Sequence, residues 1–295
     1  MIKKLNIILI LIFAPTIIYG QQADSIQLKR TLQEVSINAI RANEKTPIAF
    51  TNLSKAEIEK SNFGQDLPFL ISLTPSVVTS SDAGAGVGYT GLRIRGADQS
   101  RINVTINGIP LNDSESQGVW WVNMPDFASS LDNIQIQRGV GTSTNGAGAF
   151  GASINLKTLG LNNKAYTITN NSLGSYNTMK NNIEFGSGLI SDKFTFDARL
   201  SQISSDGYID RASSELKSLY IQGTYYSKKS VLKAIIFSGH ERTYQAWNGV
   251  PLRYLDTNRT FNSYTYENEV DNYNQTHYQL HYNKQINNST YMNIA

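Results

Sequence analysis

The stretch GLRIRGADQSRINVTINGIPLND, from Gly91 to Asp113, alternates apolar and polar residues on both sides of a polar loop. The apolar positions are Leu92, Ile94, Ile102, Val104 and Ile106, and the polar ones include Arg93 and Arg95. A period of two predicts two short strands, which we expect to pair as a hairpin with one apolar face and one polar face. The role of the arginine-bearing face depends on what the rest of the chain places against it.

The beginning of the chain has the order of charges and apolar residues that is typical of export. Lys3 and Lys4 precede an apolar run that Pro15 interrupts, and Gly20 offers a small residue before a cut. This order predicts a secretory signal peptide over residues 1–20, and the alternative is a helix that tethers the chain to a membrane. No later stretch approaches the roughly 18 apolar residues that a helical span needs.

Composition excludes several kinds of site. The chain has no Cys, which excludes disulfides, thiolate metal sites, cysteine nucleophiles and a lipoprotein anchor. Its formal net charge of +3 falls to +1 when Lys3 and Lys4 leave with the signal peptide. A chain so nearly neutral gives no reason to expect a nucleic-acid partner.

Residues 21–47 form a polar leader that contains one extended segment. The segment alternates over Glu34, Val35, Ser36, Ile37, Asn38 and Ala39. Such a pattern predicts a short strand, which is either an ordinary edge strand or a peptide that docks on a partner by strand addition.

Residues 48–158 mix short helices, strands and glycine-rich loops, which predicts a small α+β domain. Ser54 and Glu57 form a capping-box pattern that predicts a helix over residues 55–61. We expect a second helix over residues 65–73, because a Thr-Pro pair follows it and ends helices.

From residue 159 onward the chain consists of longer alternating segments. In KFTFDARLS, Phe194, Phe196 and Leu200 alternate with Thr195, Asp197 and Arg199. Segments of about ten residues with one apolar and one polar face are typical of transmembrane β-barrels, although a soluble β-sandwich shows the same alternation.

Connection lengths favour the barrel over the sandwich. Tight turns at residues 189–193, 227–230 and 286–289 alternate with longer connections at 205–215 and 240–276. Barrels of this kind have short periplasmic turns and long external loops, whereas a sandwich has no reason to sort its loops in this way.

Motifs that resemble catalytic or nucleotide-binding sites lack the residues or the following helix that such sites need. Residues 86–91 and 146–151 both spell G-x-G-x-x-G, but each precedes a strand where a nucleotide site needs a helix. Histidine occurs only at His240, His277 and His281, so residues 48–158 hold no Ser-His-Asp triad. On one strand, His277 and His281 would stand roughly 13 Å apart, too far for a metal pair. The sequence therefore predicts no enzyme, no metal site and no cofactor.

Two stretches together resemble the plug domain of TonB-dependent outer-membrane receptors. They are the opening stretch and FASSLDNIQIQRGVGTSTNGAGAFGASINLKT, from Phe127 to Thr158. The residues that match the family pattern are Ile94, Arg95, Gly96, Asn107, Gly108, Pro110, Arg138, Gly139, Gly146, Gly151, Ile154 and Asn155. The resemblance implies a small α+β plug over residues 48–158, followed over residues 159–295 by antiparallel transmembrane β-barrel strands. Six strands and the start of a seventh make an incomplete barrel, so we expect the chain to be an N-terminal fragment.

The resemblance also implies a function, a location and partners. A receptor of this family lies in the outer membrane and imports a scarce ligand, here a ferric siderophore, haem or a cobalamin-like molecule. The partners would be TonB, bound to the segment from Glu34 to Ala39, the membrane lipid and the ligand. The alternatives are import of a glycan or peptide by the same machinery, and a passive barrel or adhesin without coupling to TonB.

Two sets of site residues follow from the resemblance. Arg93, Arg95 and Arg138 are expected to face the barrel wall and to pair with its carboxylates, because buried arginines need partners. The expected ligand contacts at the plug apex are Asp98, Gln99, Arg101, Gln117, Trp120 and Trp121. The alternative for the two tryptophans is that both pack against the wall.

Overall fold

A computed structural model describes residues 41–141, 148–287 and 289–295 of the chain. The predicted signal peptide and the predicted TonB-binding segment from Glu34 to Ala39 lie outside these residues.

In the N-terminal domain, residues 41–158, the described residues form two short helices and seven strands. The elements in chain order are β1 (Ala49–Ser54), α1 (Lys55–Ser61), α2 (Leu67–Leu70), β2 (Val77–Ser81), β3 (Thr90–Ile94), β4 (Ile102–Ile106), β5 (Ile109–Pro110), β6 (Leu131–Arg138) and β7 (Ala152–Thr158). Strands β1, β6, β7, β4 and β5 form a mixed sheet in that order, and β2 pairs with β3 alone. Turns of 3-10 helix occupy Gln99–Arg101, Trp121–Asn123 and Phe127–Ser130.

The first predicted helix is confirmed and the second is shorter than expected. The Glu57 carboxylate accepts from the Ser54 backbone N–H at 2.8 Å and from its hydroxyl at 2.6 Å, which fixes the start of α1. Helix α2 ends at Leu70, and the chain continues in turns, in which the N–H groups of Ser72 and Thr74 bond the carbonyls of Phe69 and Ile71. Within the described residues, no helix is long and apolar enough to cross a membrane.

The expected hairpin between the two halves of the opening stretch is wrong. Strand β3 pairs with β2, whereas β4 pairs in parallel with β7 and antiparallel with β5. Arg95 and Gly96 have φ values of 51° and 81°, and these left-handed residues turn the chain directly after Ile94. The Arg95 N–H then bonds the Ser76 carbonyl at 3.0 Å, so the turn belongs to the β2–β3 pair.

The alternation of β4 is correct even though its partner is not. Ile102, Val104 and Ile106 lie in the main apolar core. The polar face of the same strand is also buried, with Asn103 and Thr105 only 7% and 4% exposed, and Thr105 donates to Asn155 Oδ1 of β7 at 2.9 Å.

The second part of the chain is one antiparallel sheet of seven strands. They are β8 (Ala165–Leu173), β9 (Met179–Ser187), β10 (Phe194–Ser205), β11 (Ser214–Tyr226), β12 (Ser230–Tyr244), β13 (Val270–Gln285) and β14 (Tyr291–Ile294). Every strand pairs with its sequence neighbour, so the sheet is an up-and-down meander. Its longest connection spans residues 245–269, which is shorter than the predicted 240–276. The difference arises because the polar ends of β12 and β13 are strand and continue the ladder as far as the pair Tyr244–Val270.

This sheet exposes its apolar face and buries its polar face, which is the reverse of a sheet in a soluble protein. Phe196 and Leu200 are 43% and 53% exposed, whereas Asp197 and Arg199 on the other face are 3% and 2% exposed. Other exposed apolar side chains lie on the same outer face: Ile183, Phe185, Phe194, Tyr225, Leu232, Ile236, Tyr278 and Leu280. A sandwich would bury these side chains, so the sheet has the faces of barrel strands, with the apolar face outward and the N-terminal domain against the polar face.

Candidate functional site

A buried ion cluster joins the N-terminal domain to the inner face of the seven-stranded sheet. Lys180 of β9 places Nζ 2.6 Å from Asp126 Oδ1, and Arg199 of β10 places Nη1 3.2 Å from Asp126 Oδ2. Asn182 Nδ2 donates to Asp126 Oδ2 at 2.6 Å. Because the three charged side chains are withdrawn from water, the cluster ties the position of the domain to that of the sheet.

Hydroxyl and amide groups complete the cluster. Ser129 Oγ donates to Asp126 Oδ1 at 2.6 Å, and Asn62 Nδ2 donates to Ser129 Oγ at 2.9 Å. Arg199 Nε donates to Ser130 Oγ at 2.9 Å. These bonds hold Asp126 in a left-handed conformation, with φ of 51°, that few residues other than Gly, Asn and Asp adopt.

The carboxyl group of Asp126 is ionised at neutral pH. Burial opposes its ionisation, but the positive charges of Arg199 and Lys180 outweigh burial and hold the pKa of the carboxyl below its usual range. The contact therefore has an anion on the N-terminal domain and cations on the seven-stranded sheet, the reverse of the arginine–carboxylate pairs that the sequence predicts. One sequence feature could have located the two cations: Lys180 and Arg199 both occupy polar positions of alternating strands.

An aromatic contact continues the interface next to the ion cluster. The Phe127 ring lies 4.9 Å from that of Phe237 on β12 and 6.4 Å from that of Tyr220 on β11, measured between centroids. At Gly239 of β12 a side chain would overlap the carbonyl oxygen of Asn123, so only glycine lets the two backbones approach this closely.

The three arginines that are expected at the wall are not part of the buried ion cluster. Arg93 and Arg95 are exposed, and Arg138 donates to Thr51 Oγ1 of β1 at 2.6 Å. Among the described residues, no carboxylate lies within ion-pair distance of any of the three. Their pairing with a wall carboxylate stays a prediction.

An aromatic cavity of about 500 Å³ opens between the N-terminal domain and the long connection at residues 245–269. Trp120 is half exposed there, and its ring meets the Tyr89 ring edge to face at 6.1 Å. Trp247 of the connection also meets the Tyr89 ring edge to face, at 5.9 Å. This is the end of the sheet that carries the longer connections, where the resemblance leads us to expect the ligand.

The structure separates the two neighbouring tryptophans. Trp120 lines the cavity, whereas Trp121 is 3% exposed and packs in the main core. Its burial argues against a ligand contact for Trp121 and agrees with the alternative that it packs. No sequence signal separates two adjacent indoles: Trp120 has extended backbone, and a 3-10 turn with buried side chains begins at Trp121.

The other predicted ligand contacts have mixed positions. Asp98 and Gln99 line a second cavity of about 330 Å³ that Trp120 also borders. Arg101 forms an ion pair with Asp98 at 2.7 Å, and Gln117 is exposed in a turn with φ of 61°. The structure thus brings Asp98, Gln99 and Trp120 together and leaves Arg101 and Gln117 off the lining of both cavities.

The first described residues are bonded to β6, the strand next to the β1 edge of the mixed sheet. The Ala42 N–H donates to Gln135 Oε1 at 2.8 Å, and Gln135 Nε2 donates back to the Ala42 carbonyl at 2.9 Å. Arg41 donates to Asn133 Oδ1 on the same strand, β6. The chain therefore passes from the leader directly onto β6, one strand away from the β1 edge.

Within residues 41–141, 148–287 and 289–295, no three His, Asp or Glu side chains form a group that could hold a metal ion. His277 stacks on Phe237 at 4.5 Å between ring centroids, which places it in the aromatic part of the interface.

The sequence of the N-terminal domain matches a known family. The family model of the TonB-dependent receptor plug domain matches residues 42–153. The N-terminal domain is a TonB-dependent receptor plug. The resemblance that the opening stretch suggested is thereby confirmed, and with it the fold class of a plug followed by antiparallel barrel strands.

The similarity of this chain to known proteins extends beyond the plug. The vitamin B12 transporter BtuB of Vibrio vulnificus (strain YJ016) is 28% identical over 176 residues, which cover 59% of this chain and 28% of the transporter. The open form of the ferric-catecholate import receptor Fiu from E. coli K12 has a TM-score of 0.69 at 17% identity, covering 84% of this chain and 38% of the receptor. The alcaligin outer-membrane receptor FauA of Bordetella pertussis has a TM-score of 0.62 at 13% identity, covering 85% and 38%.

These coverages show that the chain spans less than two fifths of the length of each of these three relatives. The structural likeness, at identities of 17% and 13%, concerns the fold: a plug lying against the inner face of barrel strands.

Proposed function

We propose that this chain provides the plug and barrel strands of an outer-membrane receptor that imports a scarce ligand with energy supplied through TonB. The observation that carries the proposal is the ion cluster of Asp126 with Lys180 and Arg199. It holds a folded domain against the polar inner face of a sheet whose outer face is apolar and exposed.

A plug held in this way favours gated import over a passive barrel. A diffusion pore needs an open lumen, and an adhesin needs no domain behind its wall. Here the plug and the sheet share one apolar core, which includes Phe127, Tyr220 and Phe237. Passage of a ligand therefore requires part of the plug to move, and that movement has to break buried contacts.

Breaking those contacts needs an external source of energy. Separating a buried ion pair leaves uncompensated charges, and removing one partner of such a pair costs about 3–5 kcal/mol. The nucleotide-like glycine motifs do not precede helices, so a protein that pulls from the periplasm is the simplest source. We assign that contact to TonB and to the segment from Glu34 to Ala39, which would pair as an added strand.

The path of the pull follows from the fastening of the leader. Ala42 is bound to Gln135 in the middle of β6, so tension on the leader reaches the mixed sheet directly. Strand β1 is the edge of that sheet and pairs with β6 from Ala49–Arg138 to Ser54–Asn133. We infer that release of Ala42 comes first and that β1 separates from β6 next.

The proposed cargo is a ferric siderophore, haem or a cobalamin-like molecule. Two matched relatives are described as a vitamin B12 transporter and a ferric-catecholate import receptor. The aromatic cavity at Tyr89, Trp120 and Trp247 is a suitable place for such a ligand, because pockets of this kind combine aromatic walls with a few polar groups.

Proline substitutions in the leader test the proposal. In the intact receptor, Ile37→Pro removes a backbone donor from the docking strand, while Gln27→Pro makes the same change in the polar stretch before it. We expect Ile37→Pro to abolish uptake of the ligand and to leave its binding at the cell surface unchanged, and Gln27→Pro to change neither. Equal loss of binding and uptake in Ile37→Pro would contradict the assignment.

A further inference from the structure

The charged groups that line the aromatic cavity are all acidic. Asp113 and Glu115 come from one plug loop, and Asp271 comes from the start of β13. No Lys or Arg is among the lining residues within the described part of the chain. A cavity with this lining attracts positive charge and repels negative charge, and low-dielectric walls strengthen both effects.

The aromatic walls favour the same sign of charge. Trp120 and Trp247 are 45% and 55% exposed, and both meet the Tyr89 ring edge to face, with interplanar angles of 77° and 76°. The Tyr273 ring, also half exposed, lies on the same lining. Indole and phenol faces carry negative potential, and a cation over such a face is stabilised.

A buried acceptor on the lining has no donor. Asn123 is 8% exposed and lines the cavity, yet its Oδ1 has no hydrogen-bond partner among the described residues. The Tyr89 hydroxyl is already committed, since it donates to Asp271 and lies 3.3 Å from Glu241 Oε1. The unmet requirement on the lining of the cavity is therefore a hydrogen-bond donor, which the ligand can supply.

We propose that the ligand presents a positively charged, donor-bearing group to this cavity, and that polyanionic iron chelates are excluded. The inference rests on the proposed function and narrows the class of ligand that the receptor imports. It separates this chain from the similar ferric-catecholate receptor, since a ferric tris-catecholate complex carries several negative charges. Among iron chelates, the fitting class is a ferric complex with a free amine, which would place its ammonium between the acidic side chains and the indoles.

One chelate in two charge forms provides the test. Ferrioxamine B is a ferric trihydroxamate with a free terminal ammonium, and acylation of that amine with succinate replaces the positive charge by a negative one without changing the iron centre. Binding of each form to the intact receptor is followed by quenching of tryptophan fluorescence at low salt. We expect the ammonium form to bind at least about tenfold more tightly, and the preference to shrink as salt screens the charges.

Neutralising the lining should remove the preference. The double variant Asp113→Asn/Glu115→Gln keeps the shape of both side chains, and Glu59→Gln on the exposed face of α1 removes one charge away from the cavity. We expect the two forms of the chelate to bind the double variant within about twofold of each other, and the Glu59→Gln protein to behave as the wild type.

Three results would overturn the inference. They are equal or tighter binding of the succinylated form, binding of neither form, and an undiminished preference in the double variant. None of them affects the proposed function by itself, because TonB-dependent uptake of an anionic chelate would leave energy-coupled import intact. Conversely, a clear cationic preference with uptake that does not need TonB would contradict the proposed function and leave this inference standing.

Discussion

The carboxylate of Asp126 on the plug and the ammonium of Lys180 on β9 form a 2.6 Å ion pair in which both side chains are almost completely buried. Arg199 is a second cation on the same carboxylate, at 3.2 Å. Charged pairs of this kind contribute little when both partners are replaced together, but they penalise any movement that separates them. The pair is therefore suited to a contact that must hold at rest and open only under load.

Replacement of Asp126 should loosen the plug. Asp126→Asn keeps the size of the side chain but leaves two buried cations without a counter-ion, so we expect a loss of about 3–5 kcal/mol. Urea unfolding of the intact protein in detergent, followed by tryptophan fluorescence, measures the effect, because Trp120 and Trp121 lie in the plug and Trp247 faces it.

The matched control is Asp132→Asn. Asp132 pairs with Lys157 at 3.7 Å, and the two side chains are 42% and 30% exposed, so its removal should cost about 0–1 kcal/mol. Similar urea midpoints for the two variants would mean that the Asp126 cluster does not hold the plug.

The pH dependence of stability should report on Asp66. Burial raises the pKa of this carboxyl to about 8, against the hydrogen bond from Thr90 and with the help of the charge of Glu241. In the unfolded chain it ionises near pH 4, so its burial makes folding progressively less favourable from about pH 4 to about pH 8, with no further loss above that. Asp66→Asn removes the dependence, and its gain in melting temperature over the wild type should grow across this range. A gain that is the same at both ends of the range would refute the assignment.

Two plug arginines remain predicted contacts to the wall. If Arg95 and Arg138 meet desolvated carboxylates elsewhere on the inner wall, Arg95→Ala and Arg138→Ala should admit large antibiotics and reduce ligand uptake. Arg253→Ala, in the connection at residues 245–269, is the control and should leave the permeability barrier intact. Wild-type permeability and uptake in both plug variants would show that these arginines face water.

The connection lengths predict the orientation of the sheet, with the short turns in the periplasm and the long connections outside. Ser230 starts β12 after a three-residue turn, and Asn258 is exposed in the long connection. Because the chain has no cysteine, single cysteines at these positions can be labelled on intact cells with an impermeant thiol reagent. We expect Asn258→Cys to react and Ser230→Cys to remain unlabelled, and the opposite result would invert the topology.

Local patterns predicted much of this fold. The two faces of β10 could be read from the alternation of Phe194 and Phe196 with Thr195 and Asp197, because strand side chains have a period of two. The α1 helix could be located from Ser54 and Glu57, because the capping bonds lie within three residues. Such features depend on neighbours in the chain and therefore leave a clear sequence signal.

Features that depend on distant residues could not be predicted. The turn at Arg95 is stabilised by a hydrogen bond from its N–H to the Ser76 carbonyl. This turn separates β3 from β4, so the expected hairpin does not form. Lys180 lies 54 residues from Asp126, and neither segment has a sequence pattern that predicts its contact with the other. Trp120 and Trp121 are neighbours with identical chemistry, so only the packing of the 3-10 turn decides which one faces the cavity.

The central claim, energy-coupled import through a plugged barrel, is tested most directly by measuring binding and uptake of one radiolabelled ligand in the same cells, with and without TonB. The account expects equal surface binding in the two strains and uptake only where TonB is present. Uptake at the same rate in both strains would contradict it, because the plug would then open without the energy that its buried contacts demand.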